Sequence, residues 1–410
     1  MKNIKLDSIL LFALVIPFIM TYRLSPGDTP YWLFGLIFLG LLSYVVLDLL
    51  NLKDKLQIAF KNSLLWVLII VVIGSAFYSA IIVRHQTVPE YGIHDMPLQQ
   101  EIAIRFLLHG QNPYSATYFK TPLERWNYSE KEKNPALYHF VTPPFYILFA
   151  IPFYLVTAHG FPGFFDARIP LLFLFFILLI TAGRLVKDED KKRQFLILLS
   201  FNPATLGYFL EGRDDVFMFS FLFVGLYLLY KKKDLLAGIL LALAFAVKQS
   251  VWPVFPFYFA YLYFKNKNLS KTIIQLIPFT VMFSVVVLPF FFWNPIAYLD
   301  STIFYLSGNT LHSYPISGYG LGSVLKEFGL IKDAYSYYPF WIWQVAIGLP
   351  LIMFLIKWQK KENTVQRLIL IYGIFLFIFW YFLRYLNNSH LGYLSMVFIT
   401  AYFWPKAKEV

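Results

Sequence analysis

PPFYILFAIPFYLVTA, residues 143–158, is apolar enough to enter a membrane, yet it opens on two prolines and holds a third at Pro152. Whether it crosses decides on which side every later loop lies. A spanning helix needs about 20 mostly apolar residues. The stretches around it that approach this are 6–22, 30–50, 63–83, 168–186, 194–210, 215–230, 234–247, 251–264, 272–293, 339–357, 366–384 and 391–405. If 143–158 stays on one side, 22 of the 35 lysines and arginines fall on the N-terminal side, on short loops and termini. If it crosses, seventeen of them, from Arg184 to Lys408, change sides. Short loops rich in Lys and Arg stay cytoplasmic. The pattern predicts that 143–158 is an interfacial or re-entrant helix on the outer face. About twelve transmembrane helices remain, with both termini cytoplasmic.

Composition supports the same class. The 410 residues are 59% hydrophobic and only 14% charged, against about 25% charged in soluble domains. Soluble, fibrous and disordered classes are excluded. The expectation is an all-α polytopic membrane protein, a single transmembrane domain over 1–410 in the cell membrane. With no cysteine, disulfides, thiolate metal sites and cysteine nucleophiles are excluded. The net charge of +12 is carried by inner loops such as KDEDKKR (187–193) and KKKD (231–234), so no nucleic-acid partner is needed to explain it. Neither GxxxxGK[ST] nor a GxGxxG after a strand occurs, which argues against cytosolic nucleotide chemistry.

Two long outer segments, 84–167 and 294–338, break the membrane pattern. The first contains EYGIHDMPLQQEIAIRFLLHGQNPY (90–114), whose apolar residues Leu98, Ile102, Leu107 and Leu108 predict a short amphipathic helix ending at Gly110. Asp95, with Pro97 behind it, suits the N-cap of that helix, and a cap also fixes a carboxylate in place. Lys248, in AVKQS, has no acid near it in the sequence. It must snorkel to water or meet an anion. Arg384 and His390 fall at the same outer depth, and a lipid phosphate suits the three together. The turn EGRDD (211–215) is either a solvated ion pair or a carboxylate presented to substrate. The Tyr- and Gly-rich loop 294–338 suits sugar stacking or plain interfacial anchoring. His85, His139 and His159 lack metal-ligand spacing, so they are expected to be structural and no metal ligands are assigned.

Read together and in order, six pieces carry a family likeness: His94-Asp95, Gly110-Gln111-Asn112-Pro113-Tyr114, Thr142-Pro143-Pro144, FNPATLGYFLEGRDD (201–215), AGILLALAFAVKQSVWPVFP (237–256) and RYLNNSHLGYL (384–394). The chain resembles the GT-C glycosyltransferases, and within them the bacterial and archaeal mannosyltransferase-like branch that uses polyprenyl-phosphate sugars. That resemblance implies a GT-C-like fold, with the first two spans ahead of its usual core. It also implies a polyprenyl-phosphate sugar donor, mannose-like, and a lipid-linked glycan, glycolipid or protein acceptor on the outer face. Asp95 would be the catalytic carboxylate and transfer would be inverting. Lys248, Arg384 and His390 would hold the donor phosphate. His94, Gln99, Asn112, Tyr114, Glu211, Arg213, Asp214, Asp215 and Gln249 would be substrate-binding candidates. Metal use varies across that fold, so no cofactor is assigned and a divalent metal stays open.

Two other functions compete. A flippase or transporter needs ionisable residues at mid-bilayer, and the spans carry almost none. A polymerase or ligase would place arginines in a long outer loop. The loop 294–338 holds two lysines and no arginine.

Overall fold

The structure, a computed structural model, describes residues 3–50, 53–127 and 133–406. Its helices are α1 (Leu6–Thr21), α2 (Tyr31–Leu49), α3 (Asp54–Gln86), α4 (Asp95–Leu108), α5 (Phe145–His159), α6 (Arg168–Leu185), α7 (Glu189–Ser200), α8 (Pro203–Leu210), α9 (Asp215–Tyr230), α10 (Asp234–Phe245), α11 (Val254–Asn266), α12 (Leu269–Trp293), α13 (Pro295–Leu299), α14 (Tyr305–Ser307), α15 (Leu321–Glu327), α16 (Phe340–Lys361), α17 (Val365–Tyr381) and α18 (Asn388–Phe403). Two short strands, β1 (Ser317–Gly318) and β2 (Tyr385–Leu386), pair in parallel. By length and composition α2, α3, α6, α12 and α16 can each cross a membrane, and α1, α5, α9, α10 and α17 are apolar but shorter. This is an all-α, multi-pass membrane protein.

Each of the twelve apolar stretches in the sequence is helical. One is not a single helix. The stretch 194–210 divides into α7 and α8, because the Asn202 side chain accepts the Ala204 N–H and Pro203 starts a new helix. Asn and Asp caps recur at the other turns. Asp188 accepts from the Lys191 N–H at the start of α7, and Asn268 from the Lys271 N–H at the start of α12. Such caps satisfy backbone donors that no helical carbonyl reaches.

The placement of α5 follows from its two ends. The Phe145 N–H at its start donates to the Ala246 carbonyl just beyond α10. Beyond its other end, Asp166 meets Arg84 at the end of α3 and Arg168 at the start of α6, both at 2.8 Å. Arg168 also reaches the Leu210 carbonyl beside the 211–215 turn. Both ends of α5 therefore lie at one end of the bundle, the end that carries Asp95.

That end is tied by a buried ionic network. Arg84 makes a two-pronged contact with Glu101 of α4, both bonds at 2.7 Å, and a third bond to Asp166. Burial works against the Asp166 charge, but Arg168 and Arg84 outweigh it and hold its carboxyl well below the usual range. His85 stacks on Phe164 and lies 3.4 Å from Asp166, in keeping with a structural role.

The opposite end has its own network, built around Lys61 near the start of α3. Lys61 is 1% exposed, at 2.9 Å from Asp7 of α1 and 2.7 Å from Asp48 of α2. Arg193 of α7 reaches the same Asp7 at 2.6 Å. The first two helices are thus bound to the rest of the bundle by buried charge at one end.

Candidate functional site

Helix α4 is held against the segment 134–139 by its own polar side chains. Gln99 Nε2 donates to the Ala136 and His139 carbonyls at 2.6 and 2.7 Å. Asp95 Oδ2 accepts from Asn134 Nδ2 at 2.9 Å, and Asn134 Oδ1 accepts the Ala136 N–H. On the other side, Asp95 Oδ1 lies 2.6 Å from His94 Nδ1. Asp95 is therefore not the N-cap that its sequence position suggested. His94 is the capping residue, with its ring facing the Met96 N–H, and Asp95 is the first helical residue. The carboxylate is positioned by side chains on both flanks and borders a cavity of about 900 Å3.

Across this cavity's lining stands Lys248, and the expectation that it lacks an acidic partner fails. Its ammonium lies 2.6 Å from Asp214 and 2.7 Å from Asp215. Those carboxylates sit at the start of α9, 33 and 34 residues earlier, brought close by the α9–α10 hairpin. Burial opposes the Lys248 charge, yet the two carboxylates win and raise its pKa above the ordinary lysine value. Burial raises the Asp214 carboxyl, with Lys248 opposing and Asp215 adding to the rise.

Arg384 also borders the cavity, and three of its guanidinium N–H groups brace backbone. It donates to the carbonyls of Tyr314, Ser336 and Ala334 at 2.5, 2.7 and 2.8 Å. The planar fork gathers three points of the loop 305–338 into one roof. Two glycines permit the fit. Gly308, at φ 87°, would place a Cβ 2.3 Å from the Arg384 guanidinium. Gly318, at φ 81° in β1, would place one 2.0 Å from the Leu386 carbonyl. This loop bracing takes up three of the five guanidinium N–H groups of Arg384. Arg384→Lys loses the fork while keeping the charge. With each bond to a charged donor contributing about 1.5–3 kcal/mol, proteolysis within 326–333 should speed up by roughly tenfold or more. Unchanged cleavage would contradict the bracing.

His390 lines the cavity, but its Nδ1 accepts the Asn387 N–H in the capping box of α18. Arg213 borders the cavity with its guanidinium 4.5 Å over the Tyr208 ring and 3.3 Å from Glu211. It is less enclosed than Arg384, with 23% of its side chain exposed. Gln249 borders the cavity while donating to the Val141 and Thr302 carbonyls. Glu211 faces a second, smaller cavity of about 230 Å3. Asn112 and Tyr114 are buried away from the main cavity. Asn112 Oδ1 accepts the Tyr114 N–H, and the Tyr114 hydroxyl donates to the Thr142 carbonyl. They shape the loop and do not border the site.

Sequence reasoning missed Asn134 and the roof residues Tyr305 and Tyr314. Asn134 had one signal, its place before Pro135, where Asn-Pro starts turns. His139, expected to be structural, does border the cavity, 3.5 Å from Asp300. Among the described residues, no group of three or more His, Asp or Glu side chains is arranged to hold a metal ion.

The cavity thus sets Asp95 and His94 with three basic side chains, Lys248, Arg213 and Arg384, among aromatic walls that include Trp252, Tyr305 and Trp380. No curated protein and no solved structure matches the chain. The model of glycosyltransferase family 87 does, over residues 140–404, well over half of the length and including Lys248, Arg213 and the roof. Asp95 and α4 lie ahead of the matched region and complete the cavity from outside it. This chain is therefore a membrane glycosyltransferase of family 87.

Proposed function

We propose that the protein transfers a sugar, mannose-like, from a polyprenyl-phosphate donor to an acceptor hydroxyl, inverting the anomeric carbon, on the outer face of the cell membrane. The acceptor is a lipid-linked glycan, a glycolipid or a protein. The observation that carries this reading is the single cavity of about 900 Å3 that borders Asp95 and His94 as well as Lys248 and Arg213. Displacement at a sugar carbon needs a proton acceptor for the attacking hydroxyl and positive charge for the departing phosphate. Arg213 and Arg384, which both border the cavity, supply that charge in this proposal, since Lys248 is balanced by Asp214 and Asp215. The aromatic walls suit a sugar ring and the first isoprene units. The lysine-rich turns, at the bundle end away from the cavity, support an outward-facing site by the positive-inside rule.

The test is a panel of polyprenyl-phosphate sugars given to protein in sealed liposomes of known orientation. Sugar should be released or transferred from one donor class, on the face opposite the lysine-rich turns. Turnover only with nucleotide sugars, or only on the lysine-rich face, overturns the reading.

A further inference from the structure

Lys248 sits among groups that do not suit an anion. An ammonium has three N–H donors. Two are taken by Asp214 and Asp215 at 2.6 and 2.7 Å, and the third has no partner among the described residues. The side chain is 16% exposed and borders the cavity. Two carboxylates against one ammonium leave the trio with no net positive charge, so a phosphate gains no attraction there. Next along the chain, Gln249 spends both hydrogens of its amide nitrogen on the Val141 and Thr302 carbonyls. That network fixes which end of the amide is which. It leaves the oxygen, Oε1, with no donor among the described residues, and Gln249 borders the cavity too. The third member is Thr142, beside the held Val141. It is 3% exposed and borders the cavity, yet its Oγ1 meets no hydrogen-bond partner among the described residues. A buried hydroxyl left unpaired costs free energy, which a polar ligand group relieves.

We propose that Lys248, Gln249 and Thr142 form the subsite that grips hydroxyl groups of the donor's sugar, with Lys248 a sugar-reading residue and not a phosphate ligand. This rests on the transfer reaction proposed above and names which part of the donor this wall of the cavity takes. The match lies in the direction of the hydrogen bonds. A phosphate diester oxygen only accepts, so the Gln249 oxygen has nothing to offer it. A sugar hydroxyl both donates and accepts. Sugar hydroxyls can donate to Gln249 Oε1 and accept from the third Lys248 N–H, while Thr142 Oγ1 serves in either sense. Arg213 stands in the same turn as Asp214 and Asp215. The trio therefore lies beside a cation assigned to the phosphate, and the donor's own sugar is the group bonded to that phosphate. Asp214 and Asp215 are positioning residues in this scheme. They hold the ammonium in place and cancel its charge.

The experiment uses the full-length protein with polyprenyl-phosphate mannose as the donor and sugar release to water as the readout. Undecaprenyl phosphate, which carries the lipid and phosphate without a sugar, is the competing inhibitor. Thr142→Val keeps the shape and removes only an unpartnered hydroxyl, so the melting temperature should not fall. Its kcat/KM should drop about 2–10-fold, the effect of one neutral hydrogen bond, while the inhibition constant of undecaprenyl phosphate stays at the wild-type value. Lys248→Met alone strands two buried carboxylates, so it is combined with Asp214→Asn and Asp215→Asn. That triple variant should lose about 10–150-fold in kcat/KM, the effect of a bond to a charged donor, again with inhibition unchanged. Should the triple variant not fold, Thr142→Val alone decides. Equal losses in kcat/KM and in inhibition by undecaprenyl phosphate make Lys248 a phosphate ligand and overturn the proposal. A Thr142→Val protein with wild-type kcat/KM overturns it as well. If wild-type protein releases sugar from none of the polyprenyl-phosphate sugars in the panel, the donor reading itself fails and takes this assignment with it. An active wild type excludes that failure, and the variants then test the subsite alone.

Discussion

Asp95→Asn yields a folded protein whose transfer rate is lower by about 10²–10⁴-fold. Both halves of that expectation come from the carboxylate's two neighbours. In the wild type, Oδ1 faces His94 Nδ1 and Oδ2 accepts from Asn134. An asparagine can keep its oxygen toward Asn134 and turn its amide toward His94. The imidazole keeps its acceptor role toward the Met96 N–H, while an amide cannot take the proton of the acceptor hydroxyl. Hydrogen bonds survive, so stability is kept while the proton acceptor is lost. Cap loss cannot mimic this result, because the cap of α4 is His94. Thermal unfolding and turnover measured on the same preparation check both halves. Wild-type transfer by the variant would remove Asp95 from the mechanism and leave Asp215, next to Lys248, as the carboxylate to examine.

What the sequence revealed depended on how far apart the partners lie. Twelve apolar runs became helices because lipid demands long uninterrupted apolar segments, a property local to each run. The break at Asn202-Pro203 was also local, an Asx cap followed by proline, and was readable in principle. Asp95 and His94 were visible as polar residues between a long apolar run and an amphipathic helix. The partners of Lys248 were not. Asp214 and Asp215 meet it only once α9 folds back on α10, and a search for nearby acids stops short of them. Arg384 misled for a different reason. Its partners are backbone carbonyls 48 to 70 residues away, and a carbonyl leaves no trace in side-chain composition. The three residues of the expected phosphate cluster share one cavity, with Lys248 paired to carboxylates and Arg384 bonded to carbonyls that the sequence does not reveal.

Lys61→Met, at the far end of the bundle from the cavity, is expected to cost about 3–5 kcal/mol, the usual penalty for removing one partner of a buried ion pair. Methionine fills most of the volume, so packing loss contributes little, and the penalty is electrostatic. Among the described residues, Asp48 would keep the Ser8 hydroxyl at 2.6 Å and the Lys5 backbone N–H at 2.9 Å. Asp7 would keep Arg193 and the Tyr44 hydroxyl. The uncompensated charge therefore sits on Asp48, and adding Asp48→Asn should recover part of the loss, a non-additivity that a double-mutant cycle measures directly. Thermal unfolding in detergent reads both variants. A single variant that melts like wild type, or a double variant no better than the single, would show that the pair is not what holds α1 and α2. The two helices lie ahead of the family-matched region, yet buried charge binds them to α3 and α7 at the end away from the site. Their loss should reach the chemistry only through the folded fraction. Turnover per folded Lys61→Met molecule should then stay close to wild type, in contrast to Asp95→Asn, where the fold persists and the chemistry does not.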